Sequence, residues 1–282
     1  MAKNSCFSAY GFEKPYLEEI EKEISQFSDL IYYDSFDNLI AVKNPNSKED
    51  TKKTVLFCFS VSDNSFMVNE IKDDGKAVIS SLKGYSDEYN GKKAVTLSGK
   101  CGYIKADSKS KKLECDFGYV DAKTVSKYIK CGDILSEKIF WENIGDAVFT
   151  NAPHLVLKNI FLECIKDYYN KKVIFAFIRE EKKGAFALGK NLNCDEAYFL
   201  CFSEDIKENL SFIKKEGSFI SDFKTELDSF VTDKDISFAS QYFLSSGINN
   251  VCGIALKKEN IGNGVFKIKK ETITETIKFI KG

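Results

Sequence analysis

The sequence predicts an α/β protein: a three-layer αβα fold on a mostly parallel sheet, with a small β-rich domain inserted into it. Three observations carry this. The runs Thr54 to Phe59, Val173 to Ile178, Ala197 to Phe202 and Val251 to Leu256 are almost continuously apolar, as expected of strands covered on both faces rather than half-exposed ones. Amphipathic helical patterns alternate with these runs, the signature of a parallel sheet with helices on its faces. From Phe66 to about Ile144 the texture changes to short β-like pieces punctuated by turn signals.

In chain order, Pro15 opens a helix that places Leu17, Ile20, Ile24 and Phe27 on one face. Leu30 to Tyr33 and Leu39 to Val42 read as strands with Asp37-Asn38 turning between them. The strand from Thr54 follows the loop Asn44-Pro45-Asn46-Ser47. The middle region offers β pieces at Phe66 to Ile71, Ala77 to Leu82, Ala94 to Leu97, Gly102 to Ile104 and Leu113 to Phe117. Their separators are Asp73-Asp74-Gly75, Lys83-Gly84, Asn90-Gly91 and Asp107 to Ser110. Asp121 is a candidate cap for a helix through Ile129. Pro153 starts a helix with Leu157, Ile160, Phe161, Cys164, Ile165 and Tyr168 on one side. Further helices are expected near 236–246 and from about Glu271. The predicted division is residues 1–64 with 145–282 as the α/β domain, and 65–144 as the insertion.

Bulk properties exclude several classes of function. The 282 residues suffice for one large or two modest domains. Lys and Arg number 41 against 42 Asp and Glu, a net charge of -1, which leaves no footprint for nucleic acid or an anionic membrane. No apolar run approaches the ~20 residues of a membrane span, and no signal-peptide pattern opens the chain. The 9 cysteines are scattered without a CxxC pair, and several lie in apolar runs, as Cys58 and Cys201 do. They read as small buried hydrophobes, and a reducing cytoplasm is the expected location.

The feature closest to chemistry is Arg179-Glu180-Glu181, at the carboxyl end of the run Val173 to Ile178. Open α/β sheets build their sites at such strand ends. Adjacent strand residues point to opposite faces, so the two carboxylates are poorly placed to flank one glycosidic bond. His154, the single histidine, sits just inside a helix start, where polar residues are often exposed, and no Gly-x-Ser-x-Gly elbow supports a triad. Gly189-Lys190-Asn191 and Gly262-Asn263-Gly264 read as loops without the context of a phosphate cradle.

These elements are ordered as in a known family. Ser8-Ala9-Tyr10-Gly11-Phe12-Glu13 resembles an opening Ser-Gly-x-x-Gly-x-Glu, and Asp34-Ser35-Phe36-Asp37-Asn38-Leu39-Ile40-Ala41 resembles Asp-x-x-Gly-Asn-Leu-Ile-Ala. Ser65-Phe66-Met67-Val68-Asn69-Glu70-Ile71 with Asp74-Gly75 resembles Gly-Phe-Met-Val-x-x-Ile followed by Asp-Gly. Asp116-Phe117-Gly118, Gly132-Asp133 and Phe177-Ile178-Arg179-Glu180-Glu181 resemble Asp-x-Gly, Gly-Asp and Thr-x-Gln-Glu-Glu. In order and spacing the chain resembles, nearly end to end, the glutamyl-aminopeptidase or cellulase-M-like family of dinuclear metallo-aminopeptidases.

The resemblance implies a zinc-aminopeptidase-like fold and specific site positions. The family holds two metal ions with two His, two Asp and one Glu, beside a Glu that acts as general base. By position Glu180 is that base, here vestigial, and Glu181 is the retained ligand. The His-x-Asp falls on Ser60-Val61-Ser62, the bridging Asp on Thr150, the later Asp on Cys201 or Ser203, and the last His at or near Asn260. A single carboxylate with Ser and Thr hydroxyls makes a weak metal site. Without a cation to bring the pKa of water from ~15.7 toward ~7, a carboxylate that ordinarily titrates at ~4.3 is a poor activator. The resemblance therefore points to a metal-free, catalytically degenerate homologue that binds peptides or acts as a scaffold. Two alternatives stand beside it: an active metallo-aminopeptidase holding zinc, cobalt or manganese through altered ligands, and a subunit that assembles with an active paralogue or with copies of itself. Arg179, in place of the family's Gln, and Lys182 and Lys183, in a loop that follows, are candidate cations to compensate the Glu180–Glu181 pair.

Overall fold

The computed structural model describes residues 8–44, 54–167, 172–213, 248 and 250–282. Its elements are, in order, α1 (Lys14–Ile24), β1 (Leu30–Tyr33), β2 (Leu39–Lys43), β3 (Val55–Ser60), β4 (Ser65–Ile71), β5 (Ala77–Ser81), β6 (Lys93–Thr96), β7 (Cys101–Asp107), β8 (Lys112–Asp116), α2 (Ala122–Val125) and β9 (Ile134–Glu137). Then come β10 (Trp141–Ile144), β11 (Ala147–Thr150), α3 (His154–Lys166), β12 (Val173–Ile178), α4 (Glu181–Asn191), β13 (Glu196–Ser203), β14 (Leu210–Ile213), β15 (Val251–Lys257), β16 (Glu259–Gly262), β17 (Val265–Lys269) and α5 (Lys270–Lys281). The helix expected near 236–246 lies outside the described residues.

The chain divides into two compact units. One comprises residues up to Tyr16, Ser62–Phe140 and Gly262–Gly264; the other comprises Leu17–Val61, Trp141–Ile261 and Val265–Gly282. The second unit carries a sheet in the order β1-β2-β12-β3-β13-β15-β14. Its four central strands β12, β3, β13 and β15 run parallel, while β2, flanked in turn by β1, and β14 join antiparallel at the two sides. Every residue of β12 is buried, the expected outcome for a continuous apolar run covered on both faces.

The alternation along β12 sorts its two faces. Phe175 and Phe177 meet Phe161 of α3 at 5.1 and 5.7 Å between ring centres, and Phe59 of β3 joins them at 4.9 Å from Phe161. On the other face Ile174, Ala176 and Ile178 pack with Cys58, Phe199 and the α4 residues Ala185 and Leu188. Helices thus lie over both faces, and the three-layer α/β class read from the sequence is the one found.

The first unit is built on a closed barrel, β4-β5-β8-β7-β6-β9. Its interior holds Phe66, Val68, Ile79, Ile104, Leu113 and Leu135 among others. Asp121 caps α2 by accepting from Thr124 N at 2.7 Å, but the helix proper ends at Val125 and gives way to turns, short of the expected Ile129. A separate sheet, β10-β11-β17-β16, comes from segments that the sequence patterns left unassigned. Asn263 and Gly264, both at positive φ, are the two-residue turn between β16 and β17, the backbone that an Asn-Gly hairpin requires.

Candidate functional site

The parallel strands bring several of the singled-out positions to one end of the sheet. In register, Ser60 of β3 pairs with Ile178 of β12, and Phe199 of β13 pairs with Cys58. Two residues beyond that pair, Cys201 stands level with Ser60. The carboxyl ends of β12, β3 and β13 therefore present Arg179 to Glu181, Ser60 and Cys201 along one edge, where open α/β sheets place their ligands. Thr150 ends β11, and Asn260 lies within β16 of the four-stranded sheet.

The acidic pair differs from its sequence reading. The two residues are not on the strand. Glu180 sits at φ 42, ψ 68 as the residue before α4, and Glu181 opens that helix. Lys182 and Lys183, expected in a loop, belong to the first turn of α4, and Gly189-Lys190-Asn191 is its last turn rather than a loop. The Lys and Ala of this segment are good helix formers, and the two glycines that suggested a loop cost only ~1 kcal/mol each in a helix. Gly184 is there for space: a Cβ would lie 2.0 Å from the Arg179 carbonyl oxygen and 2.7 Å from Asn38 Oδ1.

Asn38 fixes this turn from across the sheet. It is fully buried, its Oδ1 accepts from Arg179 N at 2.9 Å, and its Nδ2 donates to the Gly184 carbonyl at 3.0 Å. Asp34 holds Asn38 in turn, accepting from its backbone N–H at 2.9 Å and from Nδ2 at 2.8 Å. The left-handed backbone of Glu180 is thus over-determined by its surroundings, the condition under which a strained residue persists.

Two cations of this segment reach carboxylates. Lys183 Nζ lies 2.8 Å from Glu180 Oε2, with Glu180 largely covered at 14% exposure and Lys183 open at 67%. Arg179 extends to Asp37, Nη1 to Oδ2 at 3.0 Å.

The remaining positions are engaged locally. Thr150 Oγ1 accepts from Ala152 N at 3.0 Å, and Ser203 Oγ accepts from Asp205 N at 3.2 Å. Burial, together with the nearby Glu181 carboxylate, pushes the Cys201 thiol up to about 12; the Lys258 ammonium acts in the opposite sense. His154 is buried at the start of α3, not exposed as its position suggested. In the other unit, Ser62 Oγ donates to the buried Glu13 at 2.5 Å, and the same carboxylate oxygen accepts from Gly11 N at 3.0 Å.

Among the described residues no three His, Cys, Asp or Glu side chains stand close enough to hold a metal ion. No helix among them is long and apolar enough to cross a membrane. Lys258, which sits directly after β15, carries no motif in the sequence, so sequence reasoning misses it.

No protein-family model matches this chain, and no curated protein matches it in sequence. Solved structures do. The fold is that of a group of aminopeptidase and endoglucanase structures. It is shared with an endoglucanase from Thermotoga maritima at 17% identity and a TM-score of 0.77, covering 99% of this chain and 94% of that one. A TET aminopeptidase from a marine sediment thaumarchaeon is similar at 13% identity and a TM-score of 0.80, covering 98% and 93%. The TET1 peptidase of Pyrococcus horikoshii, described as assembling into a tetrahedron or a large octahedral shell, is similar at 19% identity and a TM-score of 0.75, covering 97% and 94%.

Proposed function

We propose that this chain is a metal-free, catalytically degenerate homologue of the aminopeptidase family, retaining the cleft as a peptide-binding or scaffold surface in the cytoplasm. The observation that carries the reading is the donor set. Hydrolysis by this family's chemistry requires cations to acidify water and polarise the carbonyl. The positions that would hold them carry Ser60, Ser62, Thr150, Glu181, Cys201 and Asn260, and no described cluster of three metal-binding side chains exists. This set does not fit a two-metal centre. Glu180, the vestigial base, is turned to Lys183. Neutral hydroxyls at three positions bind divalent ions weakly, and a thiol held in its protonated form is a poor ligand.

Elemental analysis of the purified protein, combined with an aminopeptidase assay on chromogenic amino-acid anilides, tests this. The expected result is less than stoichiometric zinc, cobalt or manganese, and no turnover with or without added metal. Two metals per chain with metal-dependent turnover would establish the alternative, an active enzyme with altered ligands. Peptide binding is read separately by calorimetry with a mixed library of short peptides.

A second reading is favoured by the assembly described for the Pyrococcus horikoshii peptidase. In it the chain is a non-catalytic subunit of a homo-oligomer, or of a shell shared with an active paralogue, using the inserted β-rich region, expected over residues 65–144, for assembly. Light scattering of the pure protein and co-purification with a paralogue distinguish the two.

A further inference from the structure

The short loop between β1 and β2 grips the turn that carries the acidic pair. Asp34 N–H donates to the Asn38 carbonyl at 3.1 Å, and Asp37 N–H donates to the Asp34 carbonyl at 3.0 Å, which closes a three-residue loop, Ser35-Phe36-Asp37. The last residue of such a loop ordinarily takes the left-handed backbone that suits glycine. Asp37 takes it, at φ 61. The motif that this segment resembles, Asp-x-x-Gly-Asn, has the glycine. This chain carries a side chain there instead, at a steric cost that glycine avoids.

That side chain has a partner. Its Oδ2 accepts from Arg179 Nη1 at 3.0 Å, across 142 positions of sequence. Arg179 is a second departure, since the motif Thr-x-Gln-Glu-Glu has Gln at its place. Two residues that differ from the family pattern therefore meet in one ion pair, and neither change alone would form it.

The pair completes a grip made by the same loop. Asn38 accepts from the Arg179 backbone N–H and donates to the Gly184 carbonyl, and Ser35 Oγ accepts from Asn191 Nδ2 at 3.0 Å in the last turn of α4. An ion pair open to water contributes little, partly because two long side chains must be ordered to form it. Asp37 is 43% exposed, but the Arg179 side chain is only 18% exposed, and its backbone is already fixed by Asn38. A guanidinium covered to that degree needs an anion to replace its lost hydration. A donor set that does not fit a two-metal centre also leaves the turn after β12 to be held by the chain itself.

We propose that the Arg179–Asp37 ion pair is a clasp, built from both departures together, that fixes the strand-end turn carrying Glu180 and Glu181 without metal ligation. Arg179 and Asp37 are then positioning residues: they hold the backbone of the turn rather than neutralise its carboxylates. The inference rests on the metal-free reading of the preceding subsection.

The test is a double-mutant cycle on the full chain with Arg179→Gln and Asp37→Gly, each of which restores the family residue. In urea unfolding at pH 7, Arg179→Gln alone should lower the folding equilibrium constant about fivefold or more. In the Asp37→Gly background the same substitution should change it less than about twofold. Hydrogen exchange reads the positioning directly. The Gly184 N–H donates to the Glu180 carbonyl at 3.1 Å, so it reports on this turn. In either single variant it should exchange at least about fivefold faster relative to the β15 amides, which report on the central sheet. If Arg179→Gln fails to fold, the double variant should still show a cooperative transition, because the carboxylate stranded on a left-handed backbone is gone. Additive effects, a Gly184 amide that keeps its pace relative to β15, or a double variant that stays unfolded would overturn the proposal. Elemental analysis of the same preparations separates this from the reading beneath it. Stoichiometric metal in the parent protein defeats both, whereas additivity in metal-free protein defeats this one alone.

Discussion

Asn38 and Gly184 are bonded to one another across 146 positions of sequence, Nδ2 to carbonyl oxygen at 3.0 Å. The same amide also receives the Arg179 N–H. One side chain from the β1–β2 turn thereby spans the turn that carries Glu180, and it does so only because residue 184 has no Cβ.

Removing that amide should be costly. Asn38→Ala leaves the Arg179 N–H and the Gly184 carbonyl without this partner and loosens Asp34. A loss of about 2–4 kcal/mol is expected in urea unfolding. Gly184→Ala should cost about 2 kcal/mol or more through overlap with the Arg179 carbonyl. The two losses should add up to less than their sum, since both disrupt one turn; full additivity would mean that the turn does not act as a unit.

Glu180 should be replaceable with a gain in stability. Its φ of 42 lies in the left-handed region, which costs a side-chain-bearing residue ~1–2 kcal/mol and glycine almost nothing. The ion pair lost with it has an open lysine and contributes little. Glu180→Gly should therefore raise the urea midpoint. A lowered midpoint would show that the carboxylate, not the backbone, dominates at this position.

Asp63 should make the first unit less stable as pH rises. Its carboxyl is pushed up to about 7, first by burial and then by the nearby Glu137, against the opposing pull of Lys83, the Asn64 backbone N–H and Lys92. A folded-state pKa above the unfolded value of 3.8 means that the favourable contribution is complete below about pH 4 and is lost as pH climbs through about 7. Asp63→Asn should flatten the fall in stability between pH 5 and 8 by at least about 1 kcal/mol. Parallel pH profiles for parent and variant would contradict this.

Cys201 should be chemically quiet. A thiol titrating near 12 is almost wholly protonated at neutral pH, and the thiolate is the reactive form. In a brief iodoacetamide pulse followed by peptide mass mapping, the exposed Cys131 should label first and Cys201 last or not at all. Rapid labelling of Cys201 would instead indicate an activated thiol.

What the sequence reveals and what it conceals have physical reasons. Val173 to Ile178 is legible because burial on both faces leaves only apolar residues, and the paired strand Leu39 to Val42 is legible for the same reason. Helix α4 is hidden because Gly184 and Gly189 imitate loop chemistry, although Gly184 answers to crowding and not to a turn. Strands β10, β11, β16 and β17 are only four or five residues long, and β10 and β16 are mostly exposed, so their alternation is weak; the turn at Asn263-Gly264 is their clearest signal. Lys258 is invisible for a different reason. A lysine among many carries no pattern, and only the fold shows that its ammonium lies over Phe266.

The barrel also has an evolutionary aspect. Its first and last strands, β4 and β9, are neighbours, with Ser65 directly opposite Ser136. The chain therefore enters and leaves the barrel about one strand spacing apart, ~4.8 Å. A segment whose ends already meet can be gained, lost or exchanged as a cassette without re-routing the chain on either side. The barrel and the parallel sheet can then change at independent rates, so the surface of one is free to drift toward new partners while the core of the other is conserved.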